Sequence, residues 1–140
     1  MKVSRTLYTL FAWLFVAGVM TQVFFAGMAV VARQWPWTNH TNLGHFLALP
    51  LLVMLVTVYL GKMPGRMKRL TWLLFVVYVL QADVLIFMRA VAPPLSALHP
   101  VLALVDFALG FMLARQATSL VRSVETQPAP QLQPERMPGD

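Results

Sequence analysis

The sequence contains no cysteine. That removes disulfides, thiolate metal sites, iron–sulfur clusters, c-type haem attachment and cysteine nucleophiles together. Charge is scarce too. Only 11% of the 140 residues are Asp, Glu, Lys or Arg, where a soluble domain carries about 25%. There is no glycine-rich phosphate loop, no HExxH, no GxSxG and no nucleophile–base pattern. The sequence thus gives no sign of catalysis, and a non-enzymatic role is expected. A net charge of +6 would suit nucleic acid, but the basic residues flank apolar blocks. Membrane topology accounts for that placement, and no nucleic-acid partner is expected.

What is abundant is apolar side chain, at 59% of residues. It falls into four blocks, at about 6–32, 41–60, 70–88 and 97–117. Each reaches the roughly 20 residues that a helix needs to cross a bilayer. Backbone groups cannot stay unpaired in lipid, so such spans must be helical. The expected fold is all-α: four transmembrane helices in an antiparallel bundle over residues 1–120, with the lipid bilayer as its surroundings. A tail at 121–140, mostly "ETQPAPQLQPERMPGD", is rich in proline and glutamine and is expected to be disordered. The first block far exceeds a signal-peptide core of roughly 7–15 residues, so it is read as a retained helix.

Lys2 and Arg5 precede the first block, Lys62, Arg66, Lys68 and Arg69 join the second to the third, and Arg115 and Arg122 close the fourth. The other two loops hold only Arg33 and Arg89. The positive-inside rule then puts both termini in the cytoplasm. Trp35 and Trp37 suit the outer interface and Trp72 the inner one.

Polar residues inside the blocks are few, and each is a functional candidate by default. His45 and His99 are expected about one turn inside the second and fourth helices, at matching depth. Gln22 and Gln81 form a second matched pair on the first and third. The order glutamine, outer loop, histidine thus occurs twice, as a weak two-helix repeat would give. His99, Ala103, Asp106 and Gly110 share one helix face, and Gly44 adjoins His45, so small residues border both histidines. Asp106 is central; an ionised carboxylate there costs about 3 kcal/mol, so it should be protonated or paired.

Two readings follow. In the first, His45 and His99 are axial ligands of a b-type haem, with Gly44 beside it and Arg33 and Arg89 meeting its propionates. Electron transfer or redox sensing, with quinone or a redox protein as partner, is the matching function. In the second, the histidines and glutamines only cap and join helices, and the protein is a non-catalytic accessory. His40 lies about 140° around the helix from His45, so both cannot ligate from one face; it is the substitute ligand if the second helix begins early. The oligomeric state is open in both.

The motifs Q-x-x-x-A-G (Gln22, Ala26, Gly27), H-x-x-x-G-H (His40, Gly44, His45), the glutamine of the third helix (Gln81) and L-H-P (Leu98, His99, Pro100) resemble a family of small bacterial four-helix membrane proteins of unknown function. That resemblance implies a multi-pass protein of the bacterial inner membrane. More distantly, the paired histidines resemble one half of haem A synthase, whose four-helix halves carry histidines on their second and fourth helices. Thr41 and Asn42 stand where that enzyme has a glutamate, and its cysteine pair is missing. The likeness therefore implies haem binding without haem modification.

Overall fold

The structure is a computed structural model, and it describes residues 1–125. Four helices are long and apolar enough to cross a membrane: Lys2–Val30, Thr38–Leu60, Gly65–Met88 and Pro93–Ser123. The first packs against the second and fourth, and the third does the same. The first and third therefore stand on one diagonal of an antiparallel bundle, and the second and fourth on the other. Large apolar side chains such as Leu14, Val23, Phe46, Phe87 and Leu104 remain exposed on the outside, as a lipid-facing surface requires.

Each helix turns one seven-residue stripe inward. On the first it runs Tyr8, Ala12, Phe15, Val19, Gln22, and on the third Met67, Thr71, Leu74, Tyr78, Gln81. On the second it runs His40, Gly44, Leu47, Leu51, Met54, Val58, and on the fourth His99, Ala103, Asp106, Gly110, Leu113, Ala117. Such heptads keep one seam facing inward along left-handed, slightly crossed helices. A shift of 59 residues carries the first helix's stripe onto the third's and the second's onto the fourth's (Gln22 to Gln81, His40 to His99). The bundle is thus a tandem pair of helical hairpins in its inward pattern, although the residue types have diverged.

Lipid tails are as apolar as leucine, so close packing and hydrogen bonds hold such a bundle rather than water exclusion. Both devices are present. A Cβ on Gly110 would stand 3.0 Å from Phe15, so the fourth helix approaches the first closely there. Gly18 lets Leu47 lie against the first helix in the same way. The Tyr8 hydroxyl meets Thr71 Oγ1 at 2.7 Å in the buried interior. At the basic end, Arg5 Nε donates to the Gly61 carbonyl at 2.9 Å and closes the C-terminus of the second helix.

The helix bounds differ from the sequence expectation at several points: the first helix spans Lys2–Val30 rather than 6–32, the third begins at Gly65 rather than near 70, and the fourth span begins at Pro93 rather than near 97. The second helix starts at Thr38 rather than near 41, and Asn39 and Thr41 already donate to the Pro36 and Trp37 carbonyls. Hydropathy detects where a chain enters hydrocarbon, and the polar run "TNHTN" is helical before it does. That helix is interrupted at Leu47, between Thr38–Phe46 and Ala48–Leu60. Pro50 lacks the N–H that the Phe46 carbonyl needs, and its ring crowds that carbonyl. The fourth span opens with a short helix, Pro93–Ser96, and its long helix, His99–Glu125, runs past 117 into the segment expected as tail; residues 126–140 of that tail lie outside the described part. In the third helix, Leu80–Val84 forms a π turn, a widening often found at functional sites.

Candidate functional site

The inward stripes bring polar groups together in the half of the bundle nearest the 31–37 and 89–98 loops. The geometry there corrects the expected histidine pair. His40, not His45, faces His99. Their ring centroids are 6.1 Å apart with planes at 69°. His40 is buried, at 8% exposure, while His45 is exposed on the outside of the second helix. The reason is register: His40 lies one heptad before Leu47 and two before Met54, and His45 falls off that stripe. The early start of the helix places His40 within it.

Both rings are held in the same way. His40 Nδ1 donates to the Gln22 carbonyl at 3.0 Å, and His99 Nδ1 donates to the Gln81 carbonyl at 2.8 Å. A carbonyl oxygen can only accept, so the proton of each neutral ring is on Nδ1 and the Nε2 lone pair is free. Each bond joins residues eighteen apart, so the two hairpins repeat it position for position. Trp37 lies over His40 at 4.4 Å between centroids and covers it from the loop side.

Below the histidines lies a group of buried oxygens. Gln22 Oε1, Gln81 Oε1 and both oxygens of Asp106 have no hydrogen-bond partner among the described residues. Asp106 is fully buried, seven residues along the stripe from His99. The Gln81 amide stands beside it, but outside hydrogen-bonding geometry. The Tyr78 hydroxyl donates to the Gly44 carbonyl at 2.6 Å, and a Cβ on Gly44 would meet Gln22 Nε2 at 2.6 Å. Gly44 thus admits the glutamine and tyrosine of neighbouring helices. Likewise Gly110 admits Phe15, so the small-residue stripe below His99 serves helix packing and leaves no flat recess at that level. Arg33 and Arg89 are exposed at the loop end, Arg33 with a left-handed backbone (φ 56°).

The separation of the two rings is that of imidazoles sharing one metal. Two imidazoles sharing one iron stand with ring centroids roughly 6 Å apart, given metal–nitrogen bonds of about 2 Å. Anchoring Nδ1 to a carbonyl is how proteins orient ligating histidines. No group of three or more His, Asp or Glu side chains comes together as a metal site among the described residues. A bare ion would therefore find two imidazoles and no third protein ligand among the described residues, whereas a porphyrin brings four nitrogens of its own. The orphaned oxygens are a separate matter. The two glutamine oxygens only accept and need a donor such as water or a hydroxyl group, whereas an unpaired Asp106 in hydrocarbon is protonated and donates from one oxygen.

Tyr78 was not evident as a site residue from sequence, nor was the inward direction of His40. Equal spacing from the glutamines carries the signal for the latter: eighteen residues in each half for His40 and His99, against twenty-three for His45. No curated protein and no solved structure matches the chain significantly, so the likeness to haem A synthase has no support among them. A family model does match, over residues 22–91, half of the chain. The matched segment opens on Gln22, includes His40, Gly44 and Gln81, and stops short of His99 and Asp106. The chain belongs to that family, a family of unknown function (DUF6220).

Proposed function

We propose that the protein binds one b-type haem between His40 and His99 and acts in electron transfer or redox sensing. The observation that carries this reading is the repeated histidine anchor. Two rings 6.1 Å apart each give their Nδ1 proton to a glutamine carbonyl and keep Nε2 free. A structural role asks only for one satisfied hydrogen bond per ring. A staple repeated in both hairpins also leaves each Nε2 free, so what favours haem is that the two free rings stand at the separation of a shared iron. Haem supplies one-electron chemistry when bound; the chain's own part is to orient the two ligands and to shield them, His40 by Trp37. A quinone or quinol is the proposed redox partner: the Gln22 and Gln81 oxygens are acceptors for a hydroxyl, and a protonated Asp106 is a donor for a carbonyl. Arg33 and Arg89 are placed at the loop end to pair with haem propionates.

The proposed setting is a bacterial cytoplasmic membrane, with both termini and the Lys62–Arg69 loop in the cytoplasm and the histidines near the outer face. The lysine and arginine distribution supports that orientation. One observation favours a second reading, a non-catalytic accessory bundle. The His40–Gln22 and His99–Gln81 bonds each join two consecutive helices, and that alone staples each hairpin. The optical spectrum of the detergent-purified protein from haem-replete cells separates the two. Haem binding predicts a sharp α band after dithionite. A colourless protein removes the haem reading and leaves the staple.

A further inference from the structure

At the basic end, far from the histidines, a groove of about 740 Å³ opens between the start of the third helix and the end of the fourth. Its lining changes character with depth. Phe111 and Met112 form the part towards the membrane centre, and Met67 lies beside Arg66 in the first turn of the third helix. Arg66 and Arg115 stand above them, and Ser119 lies at the mouth. Phe111 is eight residues inside Ser119, about 12 Å at helical rise. The groove therefore spans from the level of acyl chains to the level of headgroups. The Arg115 guanidinium rests over the Phe111 ring at 5.9 Å, held at the boundary of the two zones. Neither Arg66 nor Arg115 pairs with a carboxylate among the described residues, and the two acidic side chains described, Asp83 and Asp106, belong to the other half of the bundle.

We propose that this groove binds an anionic phospholipid of the adjoining leaflet, with its phosphate between Arg66 and Arg115 and an acyl chain along Phe111 and Met112. Two unpaired guanidiniums select a phosphate oxygen acceptor, often with two hydrogen bonds each. Basic recesses between helices at such an end are suited to anionic headgroups. The apolar floor selects against a soluble anion, which would leave the exposed Phe111 ring uncovered. The proposal does not rest on the haem reading, because no residue of the groove touches that site.

The test is native mass spectrometry of the full-length protein in detergent, with equal amounts of phosphatidylglycerol and phosphatidylcholine. The wild type should carry phosphatidylglycerol preferentially. Arg66→Gln and Arg115→Gln should each lower that preference roughly five-fold. Ser119→Trp, which keeps both charges but fills the mouth, should also lose it. Arg69→Gln, a charge removed outside the groove, should not. Helical circular dichroism checks that each variant folds. If the arginine variants unfold, Ser119→Trp and the wild type decide. Equal binding of the two lipids, a preference that survives in Ser119→Trp or in Arg66→Gln/Arg115→Gln, or the same loss in Arg69→Gln overturns the proposal. Displacement of the lipid by equimolar glycerol phosphate overturns it in favour of a soluble anion.

Discussion

The buried pair Tyr8 and Thr71 gives a stability prediction whose sign follows from hydrogen-bond direction. Thr71 Oγ1 lies 2.8 Å from the Met67 carbonyl and 2.7 Å from the Tyr8 hydroxyl. A carbonyl accepts only, so Thr71 gives its proton to Met67 and Tyr8 must be the donor to Thr71. Both residues are fully buried. Tyr8→Phe removes the donor and leaves the threonine proton bonded, so it should cost about 0.6–1 kcal/mol. Thr71→Val keeps the shape but strands the tyrosine O–H in an apolar interior, so it should cost about 1–3 kcal/mol. With both changed, no buried group is stranded. The double variant should be more stable than the sum of the two losses predicts, by roughly 1 kcal/mol. Denaturant unfolding of the detergent-solubilised full chain, followed by helical circular dichroism, measures all four corners of the cycle. A larger loss for Tyr8→Phe than for Thr71→Val, or strict additivity, would refute the assigned direction.

Glycine substitutions should divide by surroundings. Gly110→Ala drives a Cβ to 3.0 Å from Phe15 and 3.4 Å from Val16, which should cost about 1–3 kcal/mol in thermal unfolding. Gly27→Ala meets nothing within 4 Å and should be neutral or gain up to about 1 kcal/mol. Pro50→Ala should restore a donor to the Phe46 carbonyl and straighten the second helix. Spin labels on cysteines introduced at Thr38 and Leu60, in a chain with no native cysteine, should then report a longer distance by electron paramagnetic resonance; an unchanged distance would put the cause of the break elsewhere. Reporter fusions after Lys62 and after Glu125 should read as cytoplasmic and one at Asn39 as external, while an external reading after Lys62 would invert the orientation.

The fold was legible because a membrane helix advertises itself in composition. Four apolar blocks leave few alternatives, and Gln22, Gln81, His99 and Asp106 all proved to lie on inward stripes. The histidine pair was less legible for a particular reason. Hydropathy placed the start of the second helix near 41, within the polar run at 38–42, which left His40 outside it and made His45 the first histidine inside. The heptad running back from Met54 through Leu47 reaches His40 instead. The small-residue stripes were ambiguous by nature. Glycine opens space for a cofactor or for a neighbouring helix with equal ease, and only the structure shows Phe15 against Gly110 and Gln22 against Gly44. The π turn at Leu80–Val84 has no sequence signal of its own, since no proline or glycine marks it.

The most direct test of the central claim is the reduced optical spectrum and low-spin electron paramagnetic resonance signal of three single variants. His40→Ala and His99→Ala should each abolish six-coordinate low-spin haem, and the double variant should be little worse, because the two rings are halves of one site. His45→Ala should keep the wild-type spectrum, since that ring points away from the bundle. Loss of the bis-imidazole spectrum in His45→Ala together with its retention in His40→Ala would contradict the account.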